Sequence, residues 1–162
     1  MEFQITKKAK NVAFGLMGFG ALLTIIGVAL TASDHHFLTR FLASGLISGF
    51  FFFALGLGAL FFLSLKYATE TGWYAAVKRV IEAVAGFLPV GMIVLGVVLL
   101  VITIAYGAHI YSWMDPEVKA HDEVVRHKAA YLNPIFFWIR TLVYFTTYYL
   151  FYRGFRNRSL EE

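Results

Sequence analysis

Three stretches of this chain, Val12–Ala32, Phe41–Leu65 and Ala83–Ala108, contain no charged side chain, and a fourth, Pro134–Tyr152, contains only Arg140. A helix needs roughly 20 apolar residues to cross a hydrocarbon core about 30 Å thick, and all four stretches come close to or exceed that length. Backbone amides in lipid must be satisfied within the chain. Continuous apolar runs therefore point to helices, whereas a barrel would show shorter alternating segments. The expected fold is all-α: an integral membrane bundle of four transmembrane helices forming a single membrane domain. Composition agrees, with 59% of the 162 residues hydrophobic and 15% charged, against about 25% charged in an ordinary soluble domain.

Val12–Ala32 ends in the small residues Ala29, Thr31, Ala32 and Ser33, as a cleaved signal does. It is longer than the roughly 7–15 apolar residues of a signal peptide, so it reads as a retained anchor. Pro89 is expected to kink the third span, because it has no N–H for the carbonyl one turn back. Between the third and fourth spans, Asp115, Pro116 and Glu117 read as an N-cap, a first-turn proline and an acidic first turn. A short surface helix on the outer side is expected from there to about Ala130. With no cysteine, this chain forms no disulfide, thiolate nucleophile, zinc–thiolate cluster or iron–sulfur ligand set.

Lys7, Lys8 and Lys10, then Lys66, Lys78 and Arg79, then Arg153, Arg156 and Arg158 flank the spans on one side. The opposite side has Arg40 in the first link. The third link has Lys119, Arg126 and Lys128, offset by Asp115, Glu117, Asp122 and Glu123. Positive charge marks the cytoplasmic side, so both ends of this segment are expected to face the cytoplasm. The formal charge of +4 is thus assigned to topology and lipid headgroups, with no nucleic-acid partner. His35, His36, His109, His121 and His127 all fall at or beyond the outer surface.

Gly45 and Gly49 stand at GxxxG spacing, with Ser48 and Gly56 near the same face, which marks a helix–helix seam. Glu82 lies at the entry to the third span with Arg79 and Lys78 three and four residues before it. This is either a local ion pair at the headgroups or a proton-handling carboxylate supported by two cations. Arg140 lies about 9 Å inside the fourth span, where a charge has a cost of up to about 2.5–3.5 kcal/mol. Either it snorkels to the outer surface, or it heads a polar stripe with Tyr144, Thr147 and Tyr148 that passes protons or holds a polar headgroup. His35 and His109 end two spans on one side, as a bis-histidine haem b would require, but they sit at the helix ends rather than inside and read first as solvated interfacial histidines. His121, Asp122 and His127 do not share a helix face, so no metal site is expected of them.

The order Trp73, Arg79, Glu82 and Pro89 resembles the Trp-x5-Arg-x2-Glu pattern of polysulfide reductase and nitrite reductase type D membrane subunits. The run from His109 through Tyr111, Trp113, Asp115 and Glu117 narrows the match, continued by Asp122, Lys128, Tyr131, Leu132 and Asn133, then Phe136, Phe137, Arg140, Tyr144 and Phe145. It is similar to the second quinone-binding membrane subunit of alternative complex III, a bacterial quinol:cytochrome c oxidoreductase. That resemblance implies a non-redox subunit of a respiratory complex, without a catalytic centre of its own, that contributes to quinol-site architecture or to proton translocation. Quinol would be the ligand, and haem and iron–sulfur centres would reside in partners. Those partners would be a multihaem cytochrome c, an iron–sulfur subunit and other membrane subunits, delivering electrons to cytochrome c or a terminal oxidase. Glu82, Arg140, Tyr144, Thr147, Tyr148 and His109 are the candidate proton or quinone residues, with Lys78 and Arg79 as supporting charges. Members of that family are longer chains with further spans, so this sequence reads as the N-terminal part of a longer polypeptide. The competing expectations are a haem b anchor on His35 and His109, and a scaffold that only holds partners together.

Overall fold

The computed structural model describes residues 6–33, 36–69, 72 and 77–161. Among these the chain is all-helical, with 89% helix and no strand. It divides into two compact units, Met1–Leu38 and Thr39–Glu162.

The first unit is dominated by α1 (Lys7–Thr31), which has no buried residue. Its apolar side chains are exposed along its length, Phe14 and Leu30 among them. The hydroxyls of Thr24 and Thr31 donate to the carbonyls of Gly20 and Gly27 at 2.9 and 2.6 Å, so the helix satisfies its own polar groups, as a helix in lipid must.

The second unit is built on α2 (Phe37–Thr69, entering the unit at Thr39), α4 (Leu88–Val101) and α8 (Pro134–Glu161). The small residues of α2 let α4 run antiparallel against it. A methyl group placed on Gly49 would meet Leu95 at 3.7 Å, and one on Gly56 would lie 3.2 Å from the Cα of Leu88. From the other side, a methyl on Gly91 would lie 3.4 Å from the Cα of Phe53. The seam anticipated from Gly45, Gly49 and Gly56 is therefore where α2 meets α4, and Gly56 sits at its tightest point. Leu60, Leu63, Leu88, Met92 and Leu95 fill the core, and Phe145, Tyr148, Tyr152 and Phe155 of α8 close it.

α3 (Lys78–Ala85) precedes α4 and is separated from it at Gly86 and Phe87. Pro89 lies in the first turn of α4, and the two residues between α3 and α4 keep right-handed helical angles, so the irregularity expected at the proline falls just before it. Beyond α4 the helix widens into a π turn, Ile102–Tyr106, then α5 (Gly107–Ile110). A methyl group on Gly107 would sit 2.5 Å from the Met114 sulfur, so the methionine side chain would have to shift to admit one. Asp115 caps α6 (Pro116–His121), accepting from the Glu117 amide at 2.9 Å as the sequence suggested. The single surface helix to Ala130 is instead two. Asp122 leaves helical geometry to cap α7 (Glu123–His127), accepting from the Val124 amide at 2.8 Å. Asn133 opens α8 by accepting from the Phe136 amide at 2.8 Å, while its own amide donates to the Ala130 carbonyl.

Among the described residues three stretches are long and apolar enough to cross a membrane: Lys7–Thr31, Phe37–Thr69 and Lys78–Ala105. α8 has the length, at 28 residues, but Arg140, its tyrosines and threonines, and the arginines of its last turns dilute its hydropathy. It also continues as helix past Tyr152, where the sequence reading ended the span.

Candidate functional site

Arg140 is half-buried on α8, and the aromatic residues around it decide its environment. Its guanidinium carbon stands 3.7 Å from the centre of the Tyr131 ring and 5.0 Å from that of Phe136. Tyr131 arrives there because the chain turns tightly before α8, with the amides of Tyr131 and Leu132 both donating to the Lys128 carbonyl. Beside this cation a groove of about 830 Å³ opens between α2, α4 and α8. Its walls are apolar, with Leu46, Phe50, Phe53 and Leu57 from α2, and Leu95 and Leu99 from α4. Arg140, Tyr144 and Tyr148 enter it from α8, and Tyr111 and Tyr131 stand at its rim. Burial pushes the Tyr111 phenol above its ordinary pKa, so this group stays a neutral hydroxyl.

Thr147 does not join this face. Its hydroxyl donates to the Val143 carbonyl at 2.8 Å, and the side chain lines a smaller cleft with Leu150, Phe151 and Arg158.

Glu82 is half-buried near the other end of α8. The Ser159 hydroxyl donates to its carboxylate, and Lys78 Nζ lies 4.0 Å from the same oxygen. Arg79 is exposed, so of the two cations placed beside Glu82 it is Lys78 that pairs with it. One turn of α8 before Ser159, the Arg156 guanidinium donates to the phenol oxygen of Tyr152, which is 7% exposed and part of the core. The Tyr67 hydroxyl is buried without a hydrogen-bond partner among the described residues, and its ring stacks on Phe155 at 5.3 Å.

Arg140, Tyr144, Tyr148, Tyr152 and Arg156 therefore recur at every fourth residue of α8. Ser159 follows one turn later, bound to Glu82. The file spans about 28 Å at about 1.5 Å per residue, close to the thickness of a hydrocarbon core. No family model, curated protein or solved structure matches this chain.

His109 is exposed at the end of α5, while His35 and Trp73 lie outside the described residues. No group of three or more histidine or acidic side chains suited to a metal ion occurs among the described residues. Read from the sequence, the polar stripe ends at Tyr148, and Arg153, Arg156 and Arg158 have a topological role as flanking positive charge. Counting on by fours would have reached Tyr152 and Arg156. No sequence signal joins Ser159 to Glu82, since they stand 77 positions apart and meet only because α3 and α8 lie side by side.

Proposed function

We propose that this chain is a four-span bacterial inner-membrane protein with both ends of the segment cytoplasmic. In this proposal it serves as a non-redox subunit of a respiratory quinol:cytochrome c oxidoreductase of the alternative complex III type, where it contributes to proton translocation. The observation that carries this reading is the polar file of α8, with a carboxylate at one end and a cation about 28 Å away. Each tyrosine hydroxyl both donates and accepts, so a proton can pass between successive groups through intervening water. Arg156 occupies one lone pair of Tyr152 and leaves its phenol proton available to the next acceptor. Glu82, held by Ser159, is the group able to take up and release a proton at the cytoplasmic end. Arg140 fixes the positive potential at the outer end.

α8 supports the fourth span in spite of its polar residues. At 28 residues it is about 42 Å long, and Ile135, Leu142, Val143 and Leu150 are exposed along it. Cysteines introduced at Asp122 and at Lys8 should label from opposite sides of the membrane with an impermeant reagent. Labelling of both from one side would remove the four-span reading. Co-purification followed by mass spectrometry tests membership of the complex: multihaem and iron–sulfur subunits are expected to accompany the chain, and their absence from an intact preparation would contradict it.

A further inference from the structure

We infer that the groove beside Arg140 holds one anionic phospholipid, with its phosphate on the guanidinium and an acyl chain along the wall of α2. The first reason is charge. Among the described residues Arg140 has ring contacts with Tyr131 and Phe136 but no ion-pair or hydrogen-bond partner, and no acidic side chain lines the groove. A cation within a membrane is costly unless an anion or acceptor meets it. The rings draw on the cation's charge but accept no conventional hydrogen bond, so its N–H edge is left to seek oxygen acceptors. A phosphodiester suits that edge, because two of its oxygens match the planar fork of arginine.

The second reason is shape. The wall from Leu46 to Leu57 runs about 16 Å along α2 at about 1.5 Å per residue, close to the depth of one leaflet, about half of a 30 Å core. Tyr131 and Tyr144 stand at the Arg140 end as further hydroxyl donors, whereas the deeper walls are leucine and phenylalanine apart from Tyr148. Free phosphate would leave that apolar surface unused. A zwitterionic lipid would bring a second positive charge beside Arg140. The inference concerns what fills the groove and is independent of whether the chain belongs to a quinol-oxidising complex.

Native mass spectrometry of the detergent-purified chain, with whatever partners accompany it, tests this directly by titration with phosphatidylglycerol, phosphatidylcholine and a neutral isoprenoid benzoquinone. One phosphatidylglycerol per chain should be retained about tenfold more tightly than phosphatidylcholine, because both carry the phosphodiester but only choline sets a second positive charge beside Arg140. Arg140→Leu should abolish the preference and Arg140→Lys should reduce it, while Arg153→Leu, at the far end of α8, should leave it intact. Equal retention of the two phospholipids by the parent would overturn the inference, as would a preference that survives Arg140→Leu. Stronger retention of the quinone than of phosphatidylglycerol would overturn the choice of occupant. Because the parent comparison and Arg140→Lys are both decisive, a leucine variant that failed to insert would not remove the test.

Discussion

At its N-terminal end α8 presents Arg140 to two aromatic rings and an open groove; at its C-terminal end it sets Arg156 on Tyr152 and Ser159 on Glu82. At the second end two pairs are closed, Arg156 with Tyr152 and Ser159 with Glu82, and Tyr152 is part of the core. Tyr144, at the first end, is 55% exposed and lines the groove. One helix thus divides its work. The C-terminal end contributes packing and a fixed hydrogen-bonded terminus, and the N-terminal end contributes a surface with unmet donors. Stability and ligand binding should then respond to different residues of the same helix.

The largest expected contrast is between two tyrosines of the file. Tyr152→Ala should cost about 3–5 kcal/mol, because it opens a cavity among packed rings and deprives Arg156 of its acceptor. Tyr144→Ala should stay within about 0.5 kcal/mol, as exposed substitutions do. Unfolding of both variants in one detergent measures this, and comparable losses at the two positions would break the division. A smaller effect separates the contacts of Glu82. In double-mutant cycles, Glu82→Ala with Ser159→Ala should show a coupling of about 1.5 kcal/mol, the lower end for a hydrogen bond to a charged group. Glu82→Ala with Lys78→Ala should show less than about 0.5 kcal/mol, because that pair is 4.0 Å apart and partly solvated, with side-chain exposures of 30% and 22%. A stronger Lys78 coupling would mean that the closed end is held by charge rather than by the hydroxyl. Below the Ser159 coupling comes Tyr131→Leu. It removes a ring from a half-buried cation and should cost about 0.5–1 kcal/mol, while Tyr131→Phe keeps the ring face and should be neutral in the same assay.

How much of this was legible in the sequence depended on whether the cause was local. The apolar runs, the Asp115 cap and the irregularity before Pro89 each follow from chemistry within one turn of the residue concerned. Gly45, Gly49 and Gly56 announced a seam, although only the fold shows that α4 fills it and that Gly56 is its tightest point. The surface helix was misjudged because Asp122 was read as a helical residue, yet its short carboxylate caps better than it propagates. Thr147 fits the stripe by spacing but turns its hydroxyl back onto its own helix, a choice that spacing alone does not reveal. Tyr131 over Arg140, and Ser159 on Glu82, depend on where loops and neighbouring helices place their partners.

The central claim is that the polar file of α8 moves protons. Its most direct test is the number of protons released per quinol oxidised by the purified complex in sealed vesicles, compared among the parent, Glu82→Gln and Tyr152→Phe. Glutamine keeps the shape and a hydrogen bond to Ser159 but cannot exchange a proton, and phenylalanine keeps the packed ring but removes the relay hydroxyl. Both variants should assemble and oxidise quinol at close to the parent rate while releasing fewer protons per quinol, Glu82→Gln the fewest. Release at the parent ratio from assembled complexes carrying both substitutions would contradict the account and leave α8 a structural helix.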